Sequence, residues 1–193
     1  MRVLGIDPGS RFLGYGVVEE VQGRLTHVGH GVIKTDPDAP LEHRLNEIFL
    51  GLRTAMARFQ PQAVAVEGVF HHRNARSALI LGHARGVALL VAAQTGLAVF
   101  EYPPARVKKA VGAGGADGKD AVARMVTTFL RLTGPVERAD ATDALAVAIC
   151  HLNYGRGALQ ASAVKSGRGS KRRALDALAD RLQPAYVRPA VAR

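Results

Sequence analysis

The sequence is short of several things at once. Its 193 residues include one cysteine, no tryptophan and only 5% aromatic residues. A single cysteine, Cys150, excludes an internal disulfide and any multi-cysteine zinc site. It lies in an apolar stretch and reads as a core residue. Acidic residues are scarce as well: 16 Asp and Glu stand against 26 Lys and Arg, giving a net charge of +10 and a pI near 10.5. The apolar runs are short, so no segment is expected to span a bilayer. The first residues run directly into a strand-like segment interrupted by Asp7, which is not the pattern of a signal peptide. No basic amphipathic helix carries Trp or Phe anchors, so an anionic membrane is a poor partner for the charge. A polyanion, most simply nucleic acid, fits it better. A cytoplasmic protein with no membrane partner is expected.

What is present is a hydrophobic fraction of 48%, ample for a core. The charge is uneven. From Gly155 onward nine Lys or Arg face only Asp176 and Asp180, so +7 of the +10 lies in the last stretch. This predicts a folded domain over 1–154 and a basic, flexible tail over 155–193, with a short helix around 172–182. No internal repeat is found.

Strand-like segments fall at 2–6, 13–19 and 25–33, the second containing Gly14 and Gly16, which suggest close backbone approach or bulging. Asp7-Pro8-Gly9-Ser10 is a turn by composition. Leu41, Leu45, Ile48, Phe49, Leu52 and Met56 repeat with helical spacing. A fourth strand is expected at 62–67, a long helix at 74–94 stopped by Gly96, and a fifth strand at 97–101 broken by Tyr102-Pro103-Pro104. Helices at 120–132 and 139–153 complete the chain. Short connections make the first three strands an antiparallel meander. Strands separated by helices add in parallel through right-handed crossovers. The expected fold is α/β, a mixed five-stranded sheet with helices on both faces. The long helix is apolar nearly all round after His83, so it must be covered on more than one side, by other layers of the domain or by a second subunit.

Four acidic residues stand out. Asp7 and Glu67 follow short apolar runs of the buried-strand kind. Asp140 and Asp143 are three apart on a helix and share a face. If the first and fourth strands are parallel neighbours, Asp7 and Glu67 meet at one sheet edge. Converging carboxylates repel unless a cation sits among them, and oxygen-only ligands suit Mg²⁺ or Mn²⁺. An acidic metal centre in a basic protein suggests phosphodiester chemistry. Taken alone, Asp140 reads equally well as a helix cap.

The ordered set of motifs resembles a known family. Gly5-Ile6-Asp7-Pro8-Gly9-Ser10 with Gly14-Tyr15-Gly16, Val66-Glu67-Gly68-Val69-Phe70, the stretch from Asn74 to Gly86, and Asp140-Ala141-Thr142-Asp143-Ala144-Leu145-Ala146 are similar to the bacterial RuvC-type Holliday junction resolvases. The resemblance covers residues 1–153 and leaves the tail uncovered. It implies a ribonuclease H-like fold, a homodimer, and metal-dependent paired nicking of four-way junctions that leaves 5′-phosphate and 3′-hydroxyl ends. It implies Asp7, Glu67, Asp140 and Asp143 as catalytic ligands of two Mg²⁺ or Mn²⁺ ions, one activating water and the other stabilising the leaving 3′ oxygen. Lys108 and Lys119 correspond to catalytic basic residues near the scissile phosphate, although Gly118 is an extra residue before Lys119 in the glycine loop. Phe70 corresponds to an aromatic that stacks on unpaired bases. Arg73, Asn74, Arg76 and Lys109 join Lys108 and Lys119 as expected DNA contacts. The resemblance also implies the RuvA–RuvB branch-migration complex as a partner. His71 and His72 lack a further ligand at metal spacing and read as DNA-facing.

Three other readings share some of these features. An actin-like kinase or ATPase opens on a similar glycine turn, but needs two such domains. A RuvC-like nuclease that processes structured RNA is closer, but such chains lack the 74–86 motif. A DNA-architectural protein explains the charge and leaves the four acids without a role.

Overall fold

The computed structural model of the chain describes residues 1–68, 74–112, 119–134, 136 and 138–164. Three antiparallel strands open the fold: β1 (Arg2–Asp7), β2 (Phe12–Val21) and β3 (Arg24–Lys34). Helix α1 (Leu41–Phe59) leads to β4 (Ala63–Glu67), then α2 (Ala75–Gln94) to β5 (Ala98–Tyr102). The short α3 (Pro104–Ala110), α4 (Lys119–Leu130) and the long α5 (Ala139–Val164) follow. The strand order is β3-β2-β1-β4-β5, with β1–β4 and β4–β5 parallel. The expected meander with parallel additions is therefore what forms.

Side chains alternate across the sheet with a period of two. Leu4, Ile6, Val64 and Val66 point to one face and are buried in a core with Ile48, Leu52 and Met56 of α1 and Ala84, Ala88 and Val91 of α2. Val3, Ala63 and Ala65 belong to the other core, with Leu145, Val147 and Ile149 of α5 and Val122 and Val126 of α4. Asp7 and Glu67 share the odd-numbered parity of that second set, so they lie on the face that α5 covers.

Helix α5 can lie this low because the strands beneath it lack side chains. A Cβ on Gly5 would stand 2.1 Å from the Ala144 carbonyl oxygen, and one on Gly14 would stand 1.9 Å from that of Asp140. The contacting helix face is Ala141, Ala144 and Ala148, all buried. Of the two roles open to Gly14 and Gly16, close approach is the one they fill. The bulge of β2 against β3 lies further on, between Val17 and Val18.

Three expectations need correction. Tyr102 does not break β5 but is its last residue, opposite Glu67, and Pro104 starts α3, because proline's missing N–H and fixed φ suit a first helical position. Helix α5 continues beyond residue 153 to Val164. Gly155 and Gly157 do not stop it, since the residues after them are mostly good helix formers. Finally, α2 is long and apolar enough to cross a membrane by length and composition alone, with a mean hydropathy of 1.4. Arg85 is the only formally charged residue on it after Arg76.

By its internal contacts the chain divides into Met1–Arg156 and Gly157–Arg193. Of the second unit only the end of α5 is described. The expected helix at 172–182 lies outside the described residues.

Candidate active site

The last residues of two central strands build the base of the site. Ile6 pairs with Val66 in parallel register, so Asp7 and Glu67 emerge together at the carboxyl edge of the sheet. The turn after Asp7 is tied down from behind. Ser10 O accepts from Thr35 Oγ1 at 2.7 Å and from Arg44 Nη2 at 2.5 Å. On the other flank, Gly68 N donates to Tyr102 O at 2.8 Å, fixing the chain just after Glu67. The first turn of α5 adds Asp140 and Asp143.

These acids act on one another. Burial, then the charge of Glu67 and then that of Asp143, push the Asp7 carboxyl up to about 8. A side-chain hydrogen bond to Glu67 and the charge of Asp140 add to the rise. Burial also raises Glu67, and Asp143 adds to that, while the Asp7 hydrogen bond and the Lys108 ammonium pull it down. Two buried carboxyls in contact repel once both are ionised, so the pair keeps a proton to higher pH than a free carboxyl does.

A carboxyl that stays protonated at neutral pH marks a site short of positive charge. The donors are all oxygen, the set that Mg²⁺ and Mn²⁺ take. Among the described residues, no three acidic, histidine or cysteine side chains are gathered tightly enough to hold an ion as they stand. Asp7 and Glu67 are tied to each other, and Asp140 Oδ2 is paired with Arg138 Nη2 at 3.4 Å. The residues fit a cation chemically, and a cation would have to displace the shared proton and compete with Arg138.

Of the basic residues expected here, Lys108 lies in the last turn of α3, close enough to Glu67 to lower its pKa. Lys109 is beside it and exposed. Asn74 caps α2, its Oδ1 accepting from Arg76 N at 2.9 Å and Ser77 N at 3.4 Å. Arg76 is exposed in the first turn of that helix. Lys119 opens α4. Phe70, Arg73, His71 and His72 lie outside the described residues.

Three features here were not read from the sequence. Gly5 clears the way for α5, Arg138 pairs with Asp140, and Tyr102 Oη is hydrogen-bonded to His151 Nδ1 at 2.9 Å in the core. Gly5 had a signal available, its period-two relation to Gly14 and Gly16 across the β1–β2 pair. Arg138 had one in its place two residues before Asp140.

A mixed sheet in this order, with acids at the ends of its central strands and on the covering helix, defines a ribonuclease H-like fold. The family model described as crossover junction endodeoxyribonuclease RuvC matches residues 3–151. The crossover junction endodeoxyribonuclease RuvC of Myxococcus xanthus is 69% identical over 98% of both chains. That of Pelobacter propionicus is 52% identical over 79% of this chain and 86% of its own. Among solved structures, Thermus thermophilus RuvC in complex with a Holliday junction substrate superposes with a TM-score of 0.74 at 37% identity, covering 81% of this chain and 96% of the other. The yeast mitochondrial Holliday junction resolvase, at 12% identity and TM-score 0.57, shares the fold. The chain belongs to the RuvC family of crossover junction endodeoxyribonucleases, enzymes that cut DNA.

Proposed function

We propose that this chain resolves four-way DNA junctions by paired symmetric nicks, using two Mg²⁺ or Mn²⁺ ions held by Asp7, Glu67, Asp140 and Asp143. The products are 5′-phosphate and 3′-hydroxyl ends. The observation that carries the reading is the proton-sharing Asp7–Glu67 pair facing the Asp140–Asp143 turn in a chain of net charge +10. A purely architectural DNA binder gains nothing from that repulsion.

When bound, the ions supply an activated water and charge neutralisation at the leaving oxygen. The chain's own work is placement. β1 and β4 hold two acids side by side, and α5, seated on glycines, brings up the other two. Lys108 favours the ionised form of Glu67 and presents an ammonium to the phosphate. Lys119 is assigned the same phosphate-facing role. Phe70, Arg73, Asn74, Arg76 and Lys109 are assigned to DNA contact on the strength of family motifs.

Symmetric cuts need two active sites, and a C2 dimer supplies them. Helix α2 supports this. It buries Ala84, Ala88, Val91 and Ala92 in its own protomer, but leaves Leu79 66% and Leu90 53% exposed. Gly82 and Gly86 lie on the same face, and a Cβ on either would meet nothing within 4 Å. The stripe Leu79-Gly82-Gly86-Leu90 lets a second helix approach closely, and we assign it to the dimer interface.

The tail, 155–193, is assigned as a basic arm on DNA, outside a 1–154 nuclease domain. Family membership alone supports a cytoplasmic site of action and work alongside the RuvA–RuvB complex.

The test is cleavage of a fixed four-way junction, the matching linear duplex and a structured RNA, each with Mg²⁺ and with chelator. The expected result is metal-dependent, paired cutting of the junction. Preferential cutting of RNA would favour the RNA-processing reading, and tight junction binding without cleavage the architectural one.

A further inference from the structure

Among the described residues, Arg138 is a basic side chain paired directly with an acid of the candidate site, Asp140, and the nuclease reading gives it no role toward DNA. Its carbonyl opens α5, accepting from Thr142 N at 3.2 Å and Thr142 Oγ1 at 3.3 Å. Its backbone is therefore fixed by the same helix start that places Asp140. Its guanidinium is held on two sides. Cζ lies 4.0 Å from the centroid of the Phe12 ring, at the start of β2, and Nη2 lies 3.4 Å from Asp140 Oδ2. The side chain is still 46% exposed, and among the described residues only Nη2 is engaged.

A salt bridge this open adds little to folding, so stability is a poor account of the arrangement. The chemistry points elsewhere. The contact with Phe12 keeps the guanidinium beside Asp140 while the side chain stays open to solvent. A phosphate that shares a cation with Asp140 comes within side-chain reach of a guanidinium already touching Asp140. Once cations neutralise Asp140, its hold on Arg138 weakens, and Phe12 keeps the group in place. Arginine meets phosphate with two parallel N–H···O bonds, which a lysine cannot reproduce.

We propose that Arg138, parked on Phe12 and paired with Asp140 in the metal-free protein, is a DNA phosphate-binding residue of this active site, gripping the backbone beside the scissile phosphate. The inference rests on the nuclease reading. It predicts a residue that acts on substrate capture more than on the chemical step.

The experiment is single-turnover cleavage of a four-way junction by the full chain in Mg²⁺, across protein concentration and salt. Wild type is compared with Arg138→Ala, Arg138→Lys and Arg24→Ala. Arg24 begins β3 at the sheet end away from Asp7, so its variant controls for the lost charge. Arg138→Ala should raise the half-saturating concentration roughly five- to tenfold, keep the maximal rate within about threefold, and reduce the salt slope by about one. Arg138→Lys should recover part of the affinity, and Arg24→Ala should resemble wild type. Melting curves confirm that each variant is folded. If wild type cuts and Arg138→Ala matches Arg24→Ala in half-saturation and salt slope, the inference is overturned while the nuclease reading stands. A loss confined to the maximal rate overturns it equally. If wild type cuts no junction, the nuclease reading itself falls.

Discussion

Helices α2 and α5 look alike in sequence and end up in different situations. Both are long, alanine-rich and apolar nearly all round. Helix α5 is buried from Ala144 to Cys150 without a break, in a core it shares with the sheet, α3 and α4. Helix α2 has one buried edge and a bare stripe on the other side. An apolar helix thus announces two-sided burial without saying who supplies the second side. For α5 the answer is the domain itself, and the reward is a pair of acids lowered onto Asp7 and Glu67. For α2 the answer proposed here is a second copy of the chain, bringing a second set of acids.

That contrast can be broken at either helix. The largest effect is expected at the acids of α5. Asp143→Asn should lower cleavage by roughly a thousandfold or more, the loss of one transition-state charge contact, while junction affinity in a gel-shift assay stays the same or rises. Retained activity would remove Asp143 from the site. Next comes the seat of α5. Gly14→Val places a branched side chain where the Asp140 backbone lies. It should cost about 3 kcal/mol or more in urea unfolding and abolish cleavage. A stable, active variant would show that the close approach is not needed.

The third effect is a pH dependence. Asp7 titrates near 3.8 when unfolded and at about 8 in the metal-free fold. Its bound proton therefore favours the folded state at low pH, and that advantage is lost as pH rises through the window up to about 8. Stability of the metal-free protein should fall by about 1.4 kcal/mol per pH unit between pH 5 and 7.5 from this group. Asp7→Asn should flatten the curve in chelator-treated samples. A wild-type curve that is level over this range would contradict the shared proton. The smallest effect on folding is expected at α2. Leu79→Glu with Leu90→Glu should change protomer stability by no more than about 1 kcal/mol, since both sites are exposed. Sedimentation should nonetheless shift from dimer to monomer. A well-formed dimer in the double variant would move the interface elsewhere.

Much of this was legible in the sequence because it depends on local pattern. Short apolar runs placed the strands, and short connections fixed the meander. The position of Asp7 and Glu67 at strand ends followed from where the apolar runs stop. What escaped depends on contacts between distant segments or on backbone detail. Pro104 looks the same in sequence whether it breaks a chain or starts a helix. The start of α5 was visible, but its continuation past Gly155 depends on helix formers that outweigh two glycines. The need for Gly5 appears only once Ala144 lies over it. The pairing of Arg138 with Asp140 is close in sequence, but its stacking on Phe12 joins segments more than a hundred residues apart.

The claim on which the account turns is that the acids of the sheet and the acids of α5 form one cation-demanding site, which holds a proton until metal arrives. Calorimetric titration of the metal-free protein with Mn²⁺ near pH 7, repeated in buffers of different ionisation enthalpy, counts the protons released on binding. The account predicts release of about one proton per site in wild type. Proton release should vanish in Asp7→Asn, with binding weakened by Asp7→Asn and by Asp143→Asn alike. Binding with no proton release in wild type, or binding indifferent to either substitution, would contradict it.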